Sequence, residues 1–279
     1  MALQKDLERL PYFRFPVINR ETLLVHLTLN KESPKKMAEK QLQVNDVPTV
    51  RILMLGDKGV GKTSVTNLMA CSIDTPTLAS RSVKHRYWDI QVRLHEYIKT
   101  EVMPPTPDWT SHSSSEDKSL FPPQRKPTKT EILYFVEFID IITECRLQRA
   151  QYKDLTKDID GIVLVHNLEN MRSQDNLHDW LYEPLRQICK QRHGRHRPIL
   201  KTHHVPILVV GTRLDKMPSP PVRRRSGIAH QLNADEMFLN CLDVGGFEEN
   251  SRTQEQMRRF FDRVVEFKEK YPLWGSNTD

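Results

Sequence analysis

Val50-Arg51-Ile52-Leu53-Met54-Leu55-Gly56-Asp57-Lys58-Gly59-Val60-Gly61-Lys62-Thr63 is the stretch that decides how this chain folds. Val50 to Leu55 is an apolar run broken only by Arg51, the pattern of a short buried strand. Gly56 to Thr63 then fits G-x-x-x-x-G-K-[ST], and Lys62 to about Ser72 reads as a helix. The order strand, glycine-rich loop, helix is what a phosphate site needs. The glycines let the backbone from Gly56 through Asp57, Lys58, Gly59, Val60 and Gly61 curl, so that N–H groups surround phosphate oxygens. Lys62 brings a point charge to the β- and γ-phosphates, and the Thr63 hydroxyl suits Mg²⁺. Ser64 follows in the first turn, at the positive end of the helix. A plain glycine-rich turn is the alternative, and the strand and helix on either side argue against it.

Outward from this stretch, strands and helices alternate. Trp88 to Tyr97 has period two, with Trp88, Ile90, Val92 and Leu94 on one face and Asp89, Gln91, Arg93 and His95 on the other, as in a half-buried strand. Ile132 to Ile142, Asp160 to His166 and Val205 to Val210 read as strands, and Phe238 to Leu242 as a weak last one. Ser173 to Gln191 reads as a helix burying Leu177, Trp180, Leu181, Leu185 and Ile188, with Pro184 expected to kink it. Gln256 to Lys270 reads as a closing helix burying Met257, Phe260, Phe261, Val264 and Val265, so the Phe pair belongs to the core rather than to a partner site. The alternation predicts an α/β fold, a mostly parallel sheet flanked by helices.

The chain has 279 residues, with 42 Lys and Arg against 36 Asp and Glu, a net charge of +6. Only 38% of residues are apolar, against about 45–50% in typical domains. The deficit has two addresses. Residues 1–47 form a polar N-terminal extension with one apolar patch, Thr22 to Leu29. Residues 101–130 hold Pro104, Pro105, Pro107, Pro122, Pro123 and Pro127 with a Ser cluster, Ser113 to Ser115, and are expected to be a disordered insertion. The domain itself is assigned to 48–272, followed by a tail, 273–279.

Several classes are excluded at this level. No run approaches the ~20 apolar residues of a membrane span. Lys5, Asp6, Glu8 and Arg9 stand where a signal peptide is apolar. Ala2 offers no myristoylation site, and the last cysteine, Cys241, lies far from a prenylation box, so no direct lipid anchor is expected. Cys71, Cys145, Cys189 and Cys241 share no metal or redox spacing and read as reduced thiols in the cytoplasm. The basic runs Lys190 to Arg197 and Arg223 to Arg225 read as solvated loops, and no nucleic-acid partner is expected. His193, His196, His203 and His204 lack ligand-like pairing for zinc.

A second motif, Thr212-Arg213-Leu214-Asp215, ends the strand Val205 to Gly211. Ligands of α/β sheets bind at the carboxyl ends of strands, so this loop should face the same nucleotide. Asp215 can accept from the two adjacent donors of guanine, N1–H and N2–H, a pair adenine lacks. Arg213 can lie on the ring face. An Asp that merely caps a turn is the alternative.

Taken together, the two motifs bring a family into view. Gly56 to Ser64 resembles the phosphate loop of Ras-superfamily small GTPases, Rab-type ones in particular. D-G-I-V-L-V-H-N-L-E-N from Asp160, S-Q-D-N-L-H-D-W from Ser173, P-I-L-V-V-G-T-R-L-D-K from Pro206 and R-R-F-F-D-R-V-V-E from Arg258 resemble a Rab-like subfamily. That subfamily also begins its guanine motif with Thr and lacks a C-terminal prenylation cysteine. The resemblance covers about 48–98 and 131–272. It implies a six-stranded GTPase sheet, GTP or GDP as ligand with Mg²⁺, a cytoplasmic homodimer, and effector proteins as partners. It also implies that Asp140 holds Mg²⁺ alongside Thr63, and that Cys241, in Asn240-Cys241-Leu242, lines the base. With Lys62 and Thr63, Asp140 and Thr143 make up the catalytic set.

The departures matter. The family's D-x-x-G is here Asp140-Ile141-Ile142-Thr143, and the Cβ of Thr143 restricts a backbone that Gly would leave free. Glu144 stands where many GTPases place Gln, and a carboxylate beside a γ-phosphate disfavours hydrolysis. No switch threonine can be placed firmly; Thr77 and Ser82 are the candidates. Asn240-Cys241-Leu242 also lacks the usual Lys. Two further readings stay open: a dimeric scaffold that holds nucleotide with little switching, and a P-loop kinase or ATPase, which Asp215 argues against.

Overall fold

The computed structural model describes residues 47–70, 80–84, 88–101, 128–141, 155–156, 158–193, 205–219, 221, 227–243, 247 and 250–271. Thr77, Thr143, Glu144, Cys71, Cys145, Arg223 to Arg225, His196, His203 and His204 lie outside them, as do residues 1–46, 102–127 and 272–279. Ser82 falls within a strand, β2, described next.

At the centre of the sheet lies β1 (Thr49–Leu55), between β4 (Thr128–Ile141) and β5 (Gly161–Asn167), parallel to both. Outward from β5 follow β6 (Ile207–Thr212) and β7 (Asp235–Phe238), also parallel. Outward from β4 lie β3 (Trp88–Glu101) and β2 (Ser80–Lys84), both antiparallel to their neighbours. The order is β2-β3-β4-β1-β5-β6-β7. The six-stranded, mostly parallel sheet expected from the resemblance is present, and β2 adds a seventh strand at its edge.

Both faces of the sheet are covered, which is why β1 and β5 read as near-continuous apolar runs. Val50, Ile52, Met54, Val136 and Phe138 pack against α1 (Lys62–Ala70), through Val65 and Met69, and against the last helix, through Phe260, Phe261 and Val264. Leu53, Leu55, Ile139, Ile162 and Leu164 pack on the other face with Trp180, Leu181, Leu185 and Ile228. The expected inward faces of both long helices are all buried. No helix among the described residues is long and apolar enough to cross a membrane.

Four boundaries differ from the sequence reading. The expected helix from Ser173 is two helices, α2 (Met171–Asp175) and α3 (Leu177–His193). The Asn170 side chain caps α2 early by accepting from Arg172 N, and α3 carries Pro184 inside it. The last strand lies at Asp235–Phe238 rather than Phe238–Leu242, directly after the short helix α4 (Ile228–Gln231). Its Asp235 and Glu236 hide the apolar alternation that marks a strand. The closing helix α5 runs Arg252–Lys270, started by Ser251, whose hydroxyl accepts from Gln254 N. The β3–β4 ladder continues past Tyr97 and Ile132 to Glu101 paired with Thr128, so both ends of the stretch assigned to the insertion are strand.

The polar face of β3 is the larger correction. It does not face water: Asp89, Gln91, Arg93 and His95 are all buried. α1 and α5 cover it and supply partners. Gln91 donates to Asn67, Arg93 to the Met69 carbonyl, and His95 pairs with Asp262 at 2.8 Å. The Arg93 guanidinium also lies over the Phe261 ring, 4.9 Å from its centroid.

Burial holds the His95 imidazole below its ordinary pKa; the Asp262 hydrogen bond opposes the shift, and Arg93 and Arg258 add to it. The fold therefore favours the neutral ring. This contribution to stability is complete above about pH 6.5 and is lost as pH falls through the lower folded value. The urea midpoint is expected to drop between neutral pH and about pH 5.5, and to drop less in His95→Gln. Equal pH dependence in the variant would assign the drop to other groups.

Candidate functional site

The site is built where the carboxyl ends of β1, β4, β5 and β6 meet. β1 ends at Leu55, and Gly56 turns the chain at φ 148°. A Cβ there would stand 2.1 Å from the Val165 carbonyl oxygen of β5, so only glycine lets the loop leave the sheet this closely. Gly59 and Gly61 also have positive φ, and Val65 N donates to Gly61 O as α1 begins.

Lys62, in the first turn of α1, is buried, and its ammonium folds back over the loop. Nζ donates to Gly56 O at 2.9 Å and to Asp57 O at 2.8 Å. The loop is thereby closed around a cation. Burial pushes the Lys62 pKa below the ordinary lysine value, and the Asp140 and Asp57 carboxylates oppose that fall.

Thr63 and Asp140 are far apart in sequence and adjacent in space. Parallel register aligns Asp140 with Met54, which brings the end of β4 beside the loop. Thr63 Oγ1 donates to Asp140 Oδ2 at 2.5 Å. Thr63 and Ser64 are exposed, whereas Asp140 is buried. Hydroxyl and carboxylate oxygens are the hard donors that Mg²⁺ takes, one or two at a time, alongside phosphate and water. Among the described residues, no group of three or more His, Cys, Asp or Glu could hold a metal without such help. This donor set therefore fits Mg²⁺ that arrives with a phosphate ligand.

Thr212, Arg213 and Asp215 sit on the other side of the loop. Thr212 is buried at the end of β6, and its hydroxyl lies 2.6 Å from Val60 O and 3.0 Å from His166 O. It ties the phosphate loop to β5 and β6. Arg213 has φ 61° and reaches back across the loop. Its guanidinium lies 2.9 Å from Glu169 Oε2 and 3.4 Å from Gly59 O. Asp215 stands in a single 3₁₀ turn, Leu214–Lys216, with the Lys216 ammonium 3.6 Å from its carboxylate. Leu214 N donates to Leu239 O, which holds this turn against the segment carrying Cys241. Burial, and then the Asp215 carboxylate, push the Cys241 thiol up to about 11.

The structure brings Lys62, Thr63, Asp140, Thr212 and Arg213 together around the loop, with two qualifications. Lys58 is exposed on the loop. The Asp57 carboxylate is held at the start of α3, where Trp180 Nε1 donates at 2.6 Å and, just before the helix, Asn176 Nδ2 at 2.8 Å. Trp180, Asn176 and Glu169 were not found from the sequence, because no local spacing links them to the loop. Thr143 lies outside the described residues.

No protein-family model matches the chain. Its curated relatives are clear nonetheless. It is 28% identical over 243 residues to Rab-like protein 3 of Xenopus laevis, an alignment covering 81% of this chain and 88% of the relative. Rab-like protein 3 of Bos taurus is 26% identical over 233 residues, covering 78% and 84%. The Homo sapiens protein of that name is 24% identical over the same coverage, 78% and 84%. The chain is thus similar to Rab-like protein 3 along most of its length, and it combines that likeness with a mostly parallel sheet and a loop closed by Lys62, as in a small-GTPase-like α/β fold.

Proposed function

We propose that this chain binds GTP and GDP with Mg²⁺ and acts as a guanine-nucleotide switch, read by effector proteins. One observation carries the proposal: a closed glycine-rich loop with Lys62 at its centre, Thr63–Asp140 at one side and Thr212 and Arg213, which lead into Asp215, at the other. In this reading the loop N–H groups and Lys62 hold the β- and γ-phosphates. Thr63 and Asp140 would hold Mg²⁺, which when bound neutralises phosphate charge. Asp215 accepts from the guanine edge, Arg213 covers the base, and Thr212 keeps loop and base site in fixed relation. The reading extends to a cytoplasmic homodimer, as the resemblance of the motifs implies.

Thr143 and Glu144 point to weak chemistry. Intrinsic hydrolysis is expected below the unassisted Ras-type rate of about 3–5 × 10⁻⁴ s⁻¹. Single-turnover phosphate release from purified protein measures it, and fast release without a partner would contradict the expectation. The same two residues favour a second reading, a nucleotide-holding scaffold. Partner binding that is equal with GDP and with a non-hydrolysable GTP analogue would select the scaffold. The mass of the nucleotide released from purified protein on denaturation tests the shared premise, and a recovered adenine nucleotide would overturn it.

A further inference from the structure

Asp57 poses an electrostatic problem that α3 resolves. It is a carboxylate inside a loop built to receive anions, and it lies one residue from the turn at Gly56. Left facing the mouth of the loop it would repel phosphate. Instead each of its oxygens accepts one short hydrogen bond, Oδ1 from Trp180 Nε1 at 2.6 Å and Oδ2 from Asn176 Nδ2 at 2.8 Å. Both donors are firmly placed. Trp180 is buried in the core beside Leu177 and Leu181. Asn176 ends α2 with its own N–H on Arg172 O, immediately before α3. The Trp180 ring also lies 6.0 Å from Lys62 Nζ, and Lys62 bonds the carbonyl of the same Asp57. The start of α3 thus holds Asp57 from the side chain while Lys62 holds it from the backbone.

We propose that Trp180 and Asn176 are positioning residues for the phosphate loop, and that α3 through them sets how long a nucleoside diphosphate stays bound. The inference rests on the guanine-nucleotide reading above. It assigns a role to two residues outside the loop, and it makes a shift at the start of α3 a means of loosening the phosphate end without touching the base end. Hydrogen bonds to a charged group are among the stronger ones in proteins.

The test uses the full chain loaded with a fluorescent GDP. Trp180→Phe keeps a ring in the core and removes the donor; Asn176→Asp is isosteric, keeps the backbone cap and sets like charges together. Each is expected to speed GDP release about tenfold and to lower the GDP-to-GMP affinity ratio similarly. The GDP-to-ADP ratio should stay at the wild-type value. Combining Asn176→Asp with Asp57→Asn restores a donor–acceptor pair and should slow release again. If both single variants release GDP within about twofold of wild type, or lose GMP and GDP equally, the positioning role is overturned while the nucleotide reading stands. If wild-type protein has no affinity for GDP, the nucleotide reading falls and takes this inference with it.

Discussion

Lys62→Ala is expected to lower GDP affinity about 100-fold or more, with the domain still folded. The magnitude follows from what the ammonium does. It makes two hydrogen bonds to the loop, on Gly56 O and Asp57 O. In the nucleotide-bound state its third N–H donates to a phosphate. One hydrogen bond between charged groups contributes about 1.5–3 kcal/mol, roughly 10- to 150-fold in affinity, and the loss of a loop already held in shape by the two carbonyl bonds adds to it. Alanine removes the charge that faces the anion and also the clasp that keeps the loop curled. Arginine should not rescue it, because a planar guanidinium cannot fold into the space a compact ammonium occupies between two carbonyls. Calorimetric titration with GDP checks the loss, and thermal melts show whether the fold survives. A variant that keeps affinity within about threefold of wild type would remove the phosphate loop from the mechanism.

Asp215→Asn carries the second large effect, at the opposite end of the ligand. The carboxylate can accept from both guanine donors, whereas the amide offers one acceptor and one competing donor. The GTP-to-ATP affinity ratio should fall about 100-fold, through weaker GTP binding rather than stronger ATP binding. Competition of both nucleotides against a fluorescent GDP measures it. The GDP-to-GMP ratio should not change, the reverse of the pattern expected for Trp180→Phe. The two variants together divide the site into a base end and a phosphate end. An unchanged GTP-to-ATP ratio would reduce Asp215 to a turn residue paired with Lys216.

Much of this architecture was legible in the order of residues. The run from Val50, the glycines at 56, 59 and 61 and the Lys62-Thr63 pair are local signals, and local signals survive reading along a line. The same holds for α5, whose inward residues repeat at helical spacing. The polar face of β3 was misread for a physical reason. Period two separates two faces but does not say that either meets water. Gln91, Arg93 and His95 are buried because Asn67, the Met69 carbonyl and Asp262 come to them from helices elsewhere in the chain. The long β3–β4 ladder was missed likewise, since Lys99, Thr100, Lys129 and Thr130 look like loop until each strand pairs with the other.

The sequence by itself determined the loop, the lysine and the carboxylate on which the proposed nucleotide site rests. Glycine conformation, a lysine at fixed distance from it and a carboxylate after a β-strand are chemical necessities written over a few adjacent positions. Only the tertiary structure decided how that site is held. Thr63 meets Asp140 because parallel pairing aligns Met54 with Asp140. Asp57 faces Trp180 and Asn176 because the start of α3 packs beside the phosphate loop. Such contacts join residues dozens to more than a hundred positions apart. They exist only after the sheet has formed, because hydrogen-bond partners are chosen by distance in space and not by distance along the chain.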